Sequence, residues 1–315
     1  MNSLPVFSAA LVFLGALALS ATLVWLSIAV AHRFEVLDRP DGGRKLQTYA
    51  IPKLGGVAIA IAFTASSLWL LSRSEESHVL DEALGFLLPA IAAAAIGYAD
   101  DKRGLSPNLR LFLQACVGVA IAFALHDTVN ITGSTFIDSA LIVLWVMALI
   151  NGVNLLDNSD GLAGATVLVS ALASSAVAIL GGQYLIAALG LALAGTAAGF
   201  LALNWNPARV YMGDSGAYFL GAMLAALTMQ LKVSYAHMPW TLAIPLLLAS
   251  LPLLDTSFVV ISRLHRRINP FTAGRDHLSH RLQGAGLSVR SSVVTLEILL
   301  LLTGVGAFAI TLSSR

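Results

Sequence analysis

Apolar stretches of roughly 20 residues recur along the whole chain, each long enough to cross a hydrocarbon core of about 30 Å as a helix. Of the 315 residues 57% are hydrophobic and only 11% are charged, where a soluble domain carries about 25% charged residues. The fold expected is all-α: a polytopic integral membrane protein of about ten transmembrane helices. The spans fall near 6–32, 54–71, 84–99, 108–126, 139–152, 160–180, 183–203, 214–232, 240–263 and 291–312. Asn151 cuts the fifth short, and only Gly181-Gly182 separates the sixth from the seventh, which leaves room for an eleventh helix or a broken one. No linker rich in Pro, Gly and Ser divides the chain, so residues 1–315 read as one domain.

Basic residues set the orientation. Fifteen of the eighteen Lys and Arg lie in the odd-numbered loops or at their edges, and only Arg73, Lys232 and Arg315 fall on the other side. Five cytoplasmic loops and two external termini follow. The first apolar run has no basic start and is too long for a cleaved leader, so it is expected to remain as a helix. The single cysteine, Cys116, sits in an apolar run and cannot form an internal disulfide.

The same loops hold carboxylates where helices enter the bilayer, a costly placement that is usually functional. Loop one, from Asp38 to Gly56, reads DRPDGGRKLQTYAIPKLGG, with Arg44, Lys45 and Lys53 as cations. Gly55-Gly56 in it permits close backbone approach to a ligand. Loop two ends a helix with Asp100-Asp101. Adjacent carboxylates raise one another's pKa unless a cation is near, and a hard ion such as Mg²⁺ suits them. In loop three Asn151, Asn154, Asp157 and Asp160 are spaced by three, which on a helix gives a stripe turning about 60° per step. Loop four carries Tyr211 and Asp214, the latter able to cap a helix or to ligate a metal. In loop five, RDHLSHR, the residues Arg275, His277, His280 and Arg281 suit a phosphate clamp better than zinc, for which a third ligand is missing.

Taken in order, RKLQTYAIPKLGG, the aspartate pair, NGVNLLDNSDGL, MGDSG and GRDHLSHRL resemble the motifs of the polyprenyl-phosphate N-acetylhexosamine-1-phosphate transferases. The likeness spans essentially the whole chain. Departures are Gln47 where a histidine is frequent, Asn158 where glycine is common, and a final loop without three adjacent histidines. The last of these, together with a first loop lacking Pro-Thr-Met-Gly-Gly, sets the chain nearer the amino-sugar branch than the muramoyl-pentapeptide translocases. The resemblance implies a bacterial plasma-membrane enzyme that moves N-acetylhexosamine-1-phosphate, most often the N-acetylglucosamine form, from a UDP-sugar to undecaprenyl phosphate, releasing UMP. It implies Mg²⁺, or Mn²⁺ in its place, the lipid bilayer and a homodimer as partners, and no nucleic acid.

By position, the resemblance makes Asp214 a Mg²⁺ ligand, with Asp101 joining it or, like Asp100, orienting the lipid phosphate. Asp100 is also a proton acceptor candidate. Asn151, Asn154 and Asp157 resemble nucleotide-site residues, Tyr211 a ring to stack uracil, and Lys45, Arg275, His277, His280 and Arg281 phosphate contacts. Asp160 is assigned either to the site or to the helix start. Two other classes remain: a secondary transporter, for which Asp255 inside the ninth span would matter, and a lipid-phosphate scaffold, which would not need Asp100, Asp101 and Asp214.

Overall fold

The computed structural model describes residues 6–40, 49–72, 77–231, 238–269, 272 and 274–314. Helix α1 (Val6–Arg33) leads into a two-residue antiparallel pair, β1 (Leu37–Asp38) and β2 (Ile51–Pro52). Next come α2 (Gly55–Leu71), α3 (Ser77–Arg103), α4 (Pro107–Leu125), α5 (Thr135–Leu156), α6 (Leu162–Leu180), α7 (Tyr184–Asn204) and α8 (Gly213–Met229). The chain closes with α9 (Met238–Leu248), α10 (Ser250–His265), the short α11 (Leu278–Gly284) and α12 (Val289–Ser313).

The segments expected to span are all helical. Among the described residues seven helices are long and apolar enough to cross a membrane, and the pair α9–α10 makes eight if taken as one span. The difference from the expected ten lies in α2 and α8, which at 17 residues each reach about 26 Å at a rise of 1.5 Å per residue. The ninth span, read from sequence as one helix, is broken: α9 and α10 meet at 79°. Pro252 lies just past the break and has no N–H to donate to the Leu248 carbonyl, so the ladder is interrupted and the helix restarts in a new direction. The fifth helix runs past Asn151 to Leu156, because nothing before Asp157 breaks it. The sixth does end at Leu180, where Gly182 adopts φ +71°.

Helix α8 is the hub. Every residue in it except Asp214 is buried, and α3, α5 and α2 pack around it. Small residues make this possible. A Cβ on Gly56 of α2 would overlap the backbone of Met212 and Gly216, and one on Gly97 of α3 would overlap the Asp214 carbonyl. The close approach anticipated for Gly55-Gly56 is therefore to the protein's own backbone: the N–H groups of Gly55 and Gly56 donate to the carbonyls of Tyr211 and Met212, both at 3.1 Å. The consequence is a fixed placement of loop one against the start of α8.

Candidate active site

Asp100 and Asp101 end α3 but face different partners, since neighbours on a helix point about 100° apart. Asp100 is buried, 5% exposed. Its Oδ1 accepts from the Leu105 N–H at 2.8 Å, and its Oδ2 accepts from the Tyr218 hydroxyl at 2.9 Å and from Arg110 at 3.3 Å. Asp101 instead reaches the start of α8, where the N-cap position, Met212, offers no side-chain acceptor. Its two oxygens accept from the N–H groups of Asp214 (3.1 Å) and Ser215 (3.4 Å). A carboxylate from another helix thus satisfies the orphan donors and the positive end of the dipole. Lys53 Nζ lies 2.6 Å from the same Asp101.

The stripe read from loop three holds for one step. Asn151 and Asn154 lie on α5, but the helix ends before Asp157, its C-cap residue. Asn154 donates to Asp214 Oδ1 at 3.2 Å, whereas Asn151, a turn deeper, donates to Gln114 of α4 (2.6 Å) and to the Met147 carbonyl. Asp157 accepts no hydrogen bond among the described residues. Burial pushes its carboxyl well above the usual carboxylate range; Lys53 opposes that shift, and Asp214, Asp101 and Asp160 add to it. Lys53 shows the complementary response: burial alone would lower its pKa, but Asp101 first, then Asp214 and Asp38, hold it above the ordinary lysine value. Asp160 turns aside, accepting from Asn206 Nδ2 (2.9 Å) and the Ala208 N–H (3.0 Å), and so braces loop four.

Tyr211 is half-buried, and its N–H donates to the Pro52 carbonyl at 2.8 Å, extending loop one against loop four. Burial and then the charges of Asp160, Asp38 and Asp157 raise its phenol pKa.

Loop five folds onto loop three. Ser279 donates to Asn158 Oδ1 at 2.6 Å, and Gln283 to Ser159 at 3.3 Å. Asp276 is gripped by Arg263 through two contacts (3.0 and 2.8 Å) and by Arg266 at 2.7 Å. Those hydrogen bonds with Arg263 hold the Asp276 carboxyl down at about 2. His277 is buried, while Arg275 and Arg281 are exposed, the latter with its guanidinium 4.6 Å from the Phe258 ring centre. Desolvation first, then His277 and Arg275, lower the His280 pKa and favour a neutral ring. Lys45 lies outside the described residues.

The structure therefore brings together Lys53, Asp101, Asn154, Asp157 and Asp214 from four loops, with Asp100 directly behind. It commits Asn151, Asp160 and His277 to protein partners. Sequence reasoning left Lys53, Tyr218, Asn158 and Ser279 out of the site. Tyr218 had a signal, since it lies one helical turn beyond Asp214. Ser279 had none. Among the described residues no three acids, histidines or cysteines form a ready-made metal cage. The donors are hard oxygens of the kind Mg²⁺ takes, and that ion is commonly held by one or two carboxylates completed by water and substrate phosphate. The chemistry of the set fits such an ion.

A model of the family described as glycosyl transferase family 4 matches residues 83–232, from α3 through α8. That stretch holds the acids but neither Lys53 nor loop five. A probable undecaprenyl-phosphate N-acetylglucosaminyl 1-phosphate transferase of Bacillus subtilis (strain 168) is 27% identical over 278 residues, covering 86% of this chain and 76% of that protein. A phospho-N-acetylmuramoyl-pentapeptide-transferase of Streptococcus equi subsp. zooepidemicus is 31% identical over 278 residues, 80% of each chain. A putative glycosyltransferase of Streptomyces coelicolor is 32% identical over 281 residues, 88% of this chain and 64% of that one.

Proposed function

The chain belongs to glycosyl transferase family 4, and from that membership we propose that it transfers N-acetylhexosamine-1-phosphate, most simply the N-acetylglucosamine form, from a UDP-sugar to undecaprenyl phosphate at the cytoplasmic face of the membrane. One observation carries the reading: Asp101 pairs with the ammonium of Lys53 and accepts from the Asp214 N–H at the buried start of α8, and Asp157 of loop three lies within the electrostatic reach of all three. So much acid around one cation is a poor fold-stabilising device and a good site for a divalent ion that carries a polyphosphate.

In the reaction an oxygen of the lipid phosphate attacks the sugar-linked phosphorus. The pyrophosphate bond breaks and UMP leaves with the bridging oxygen. Phosphoryl transfer of this kind depends on positioning and charge neutralisation. Mg²⁺ held by Asp214 and Asp101 would offset the charge of the diphosphate. Lys53 supplies a fixed cation beside it, and Asn154 orients Asp214. Tyr211 offers its ring face to the uracil, and His280, Arg275 and Arg281 bind phosphate oxygens from loop five. Asp100, bound to Tyr218, Arg110 and the Leu105 N–H, holds α3, α4 and α8 in register behind Asp101. The lipid phosphate, already largely ionised near neutral pH, needs no strong base.

A second reading, transfer of phospho-N-acetylmuramoyl-pentapeptide, has in its favour the 31% identity to the streptococcal protein. Against it stands the RDHLSHR segment of loop five, in which only His277 and His280 occur, separated by Leu278 and Ser279. The deciding experiment incubates purified protein with Mg²⁺, undecaprenyl phosphate and a panel of UDP-sugars, measuring UMP and the mass of the lipid product. UMP and a lipid-diphosphate-N-acetylhexosamine are expected, and both vanish with EDTA. A product carrying the pentapeptide selects the second reading, and no UMP from any donor removes both.

A further inference from the structure

Asp255 is 1% exposed and sits on α10, beyond the bend. An isolated carboxylate there would be costly unless its oxygens were bonded. Both are: Oδ2 lies 2.7 Å from His277 Nδ1, and Oδ1 accepts from the Leu278 N–H at 2.8 Å. One side chain in the α9–α10 segment thereby fixes both the ring and the backbone of loop five, 22 residues further on. With Nδ1 engaged by Asp255, the His277 ring cannot turn. It stands edge-on to His280, centroids 5.7 Å apart at 71°.

Among the described residues His280 Nδ1 is buried with no hydrogen-bond partner. No hydrogen bond with a described residue sets the orientation of that ring, so packing against His277 does, which leaves Nε2 as the nitrogen for a ligand. Asp276, next to His277, is taken up by Arg263 and Arg266 and does not compete for the imidazole.

Resting on the function proposed above, we propose that Asp255 is the positioning residue of the phosphate-binding loop. By holding His277 at Nδ1 and the chain at Leu278, it sets the His280 ring that faces the diphosphate. The arrangement parallels outer-shell carboxylates that orient ligating histidines, whose loss costs about 10–100-fold.

Asp255→Asn keeps an acceptor for the Leu278 N–H but presents an amide to His277 Nδ1, which reverses the imidazole tautomer. The kcat of this variant is expected to fall about 10–100-fold, with the KM for undecaprenyl phosphate and the melting temperature close to wild type. His277→Gln retains a donor for Asp255 while removing the ring beside His280. It should lose as much, and Asp255→Asn should add little in that background, as coupled residues do. Wild-type turnover in either variant, or losses that multiply in the double variant, overturns the proposal. If Asp255→Asn does not accumulate, His277→Gln alone decides, since it leaves the buried acid in place. An active wild type with unimpaired variants defeats only this inference, whereas a wild type that forms no lipid-linked sugar defeats the function on which it rests.

Discussion

Replacing Lys53 by Met keeps the length and apolar stem of the side chain and removes the ammonium alone. That ammonium is 2.6 Å from Asp101 and, among the described residues, is the only cation in ion-pair range of Asp101, Asp157 or Asp214. A fully exposed pair stabilises by about 0–1 kcal/mol, and stripping one partner from a fully buried pair costs about 3–5 kcal/mol. Here the Asp101 side chain is 8% exposed but that of Lys53 is 31% exposed. Solvent screening and the two backbone N–H groups left on Asp101 place the loss nearer the lower end, about 2 kcal/mol. At about 2–4 °C per kcal/mol for a large domain, the metal-free protein should melt about 4–8 °C lower near pH 8. The loss should shrink as the pH falls, because protonated carboxyls need no counter-charge. Added Mg²⁺ should raise the melting temperature of the variant more than that of the wild type, since bound ligand stabilises the folded state. Thermal shift in detergent measures all three. A variant that melts within about 1 °C of wild type near pH 8 without metal would refute the view that Lys53 neutralises the acid cluster.

Asp157 has a raised pKa from burial and from Asp214, Asp101 and Asp160, so ionising it costs the folded state, and stability should decline as the pH rises from the ordinary carboxylate range toward that raised value. Metal-free Asp157→Asn should therefore melt above wild type near pH 8 and level with it near pH 4, and equal melting at both ends of the scan refutes the shift. Asp214→Asn should keep its yield and lose about 10²–10³ in turnover, and near-normal turnover in saturating Mg²⁺ removes it from the site. Asp160→Ala should cost about 1–3 kcal/mol of stability by leaving the Asn206 and Ala208 donors without their acceptor, with KM for the donor little changed; a lost kcat at unchanged stability would place Asp160 in the chemistry instead. Tyr211→Phe should be almost silent, and Tyr211→Ala should raise KM for the UDP-sugar by the equivalent of about 1–3 kcal/mol; equal effects on both substrates make the ring a packing residue.

The helices were legible because apolar length is a one-dimensional property, and so were the acids, because a carboxylate beside a bilayer stands out in any window. What each acid does was not legible. Asp100 and Asp101 differ by one position in sequence, yet one is enclosed by Tyr218 and Arg110 and the other caps α8. That division depends on which neighbour lies along each direction of α3, and no local pattern records it. The stripe from Asn151 to Asp160 assumed a helix, and the chain left the helix after Leu156, so spacing by three stopped meaning a shared face. Asp255 was visible as an intramembrane acid, but its partner lies 22 residues further on in loop five, and no local pattern pairs the two.

The enclosure of α8 has a consequence for where the chemistry sits relative to the bilayer. A helix in contact with lipid must match the hydrocarbon thickness or distort it. Helix α8 meets protein on every side, so no lipid has to adjust to its ends, and its length is set by its neighbours instead. A 17-residue helix falls about 4 Å short of a core about 30 Å thick. A helix that short need not carry its first turn, and with it Asp214, out to the level at which a full span would surface. A lipid whose phosphate stays at the interface and whose chain stays in the hydrocarbon could meet an acid cluster so placed without leaving its own leaflet.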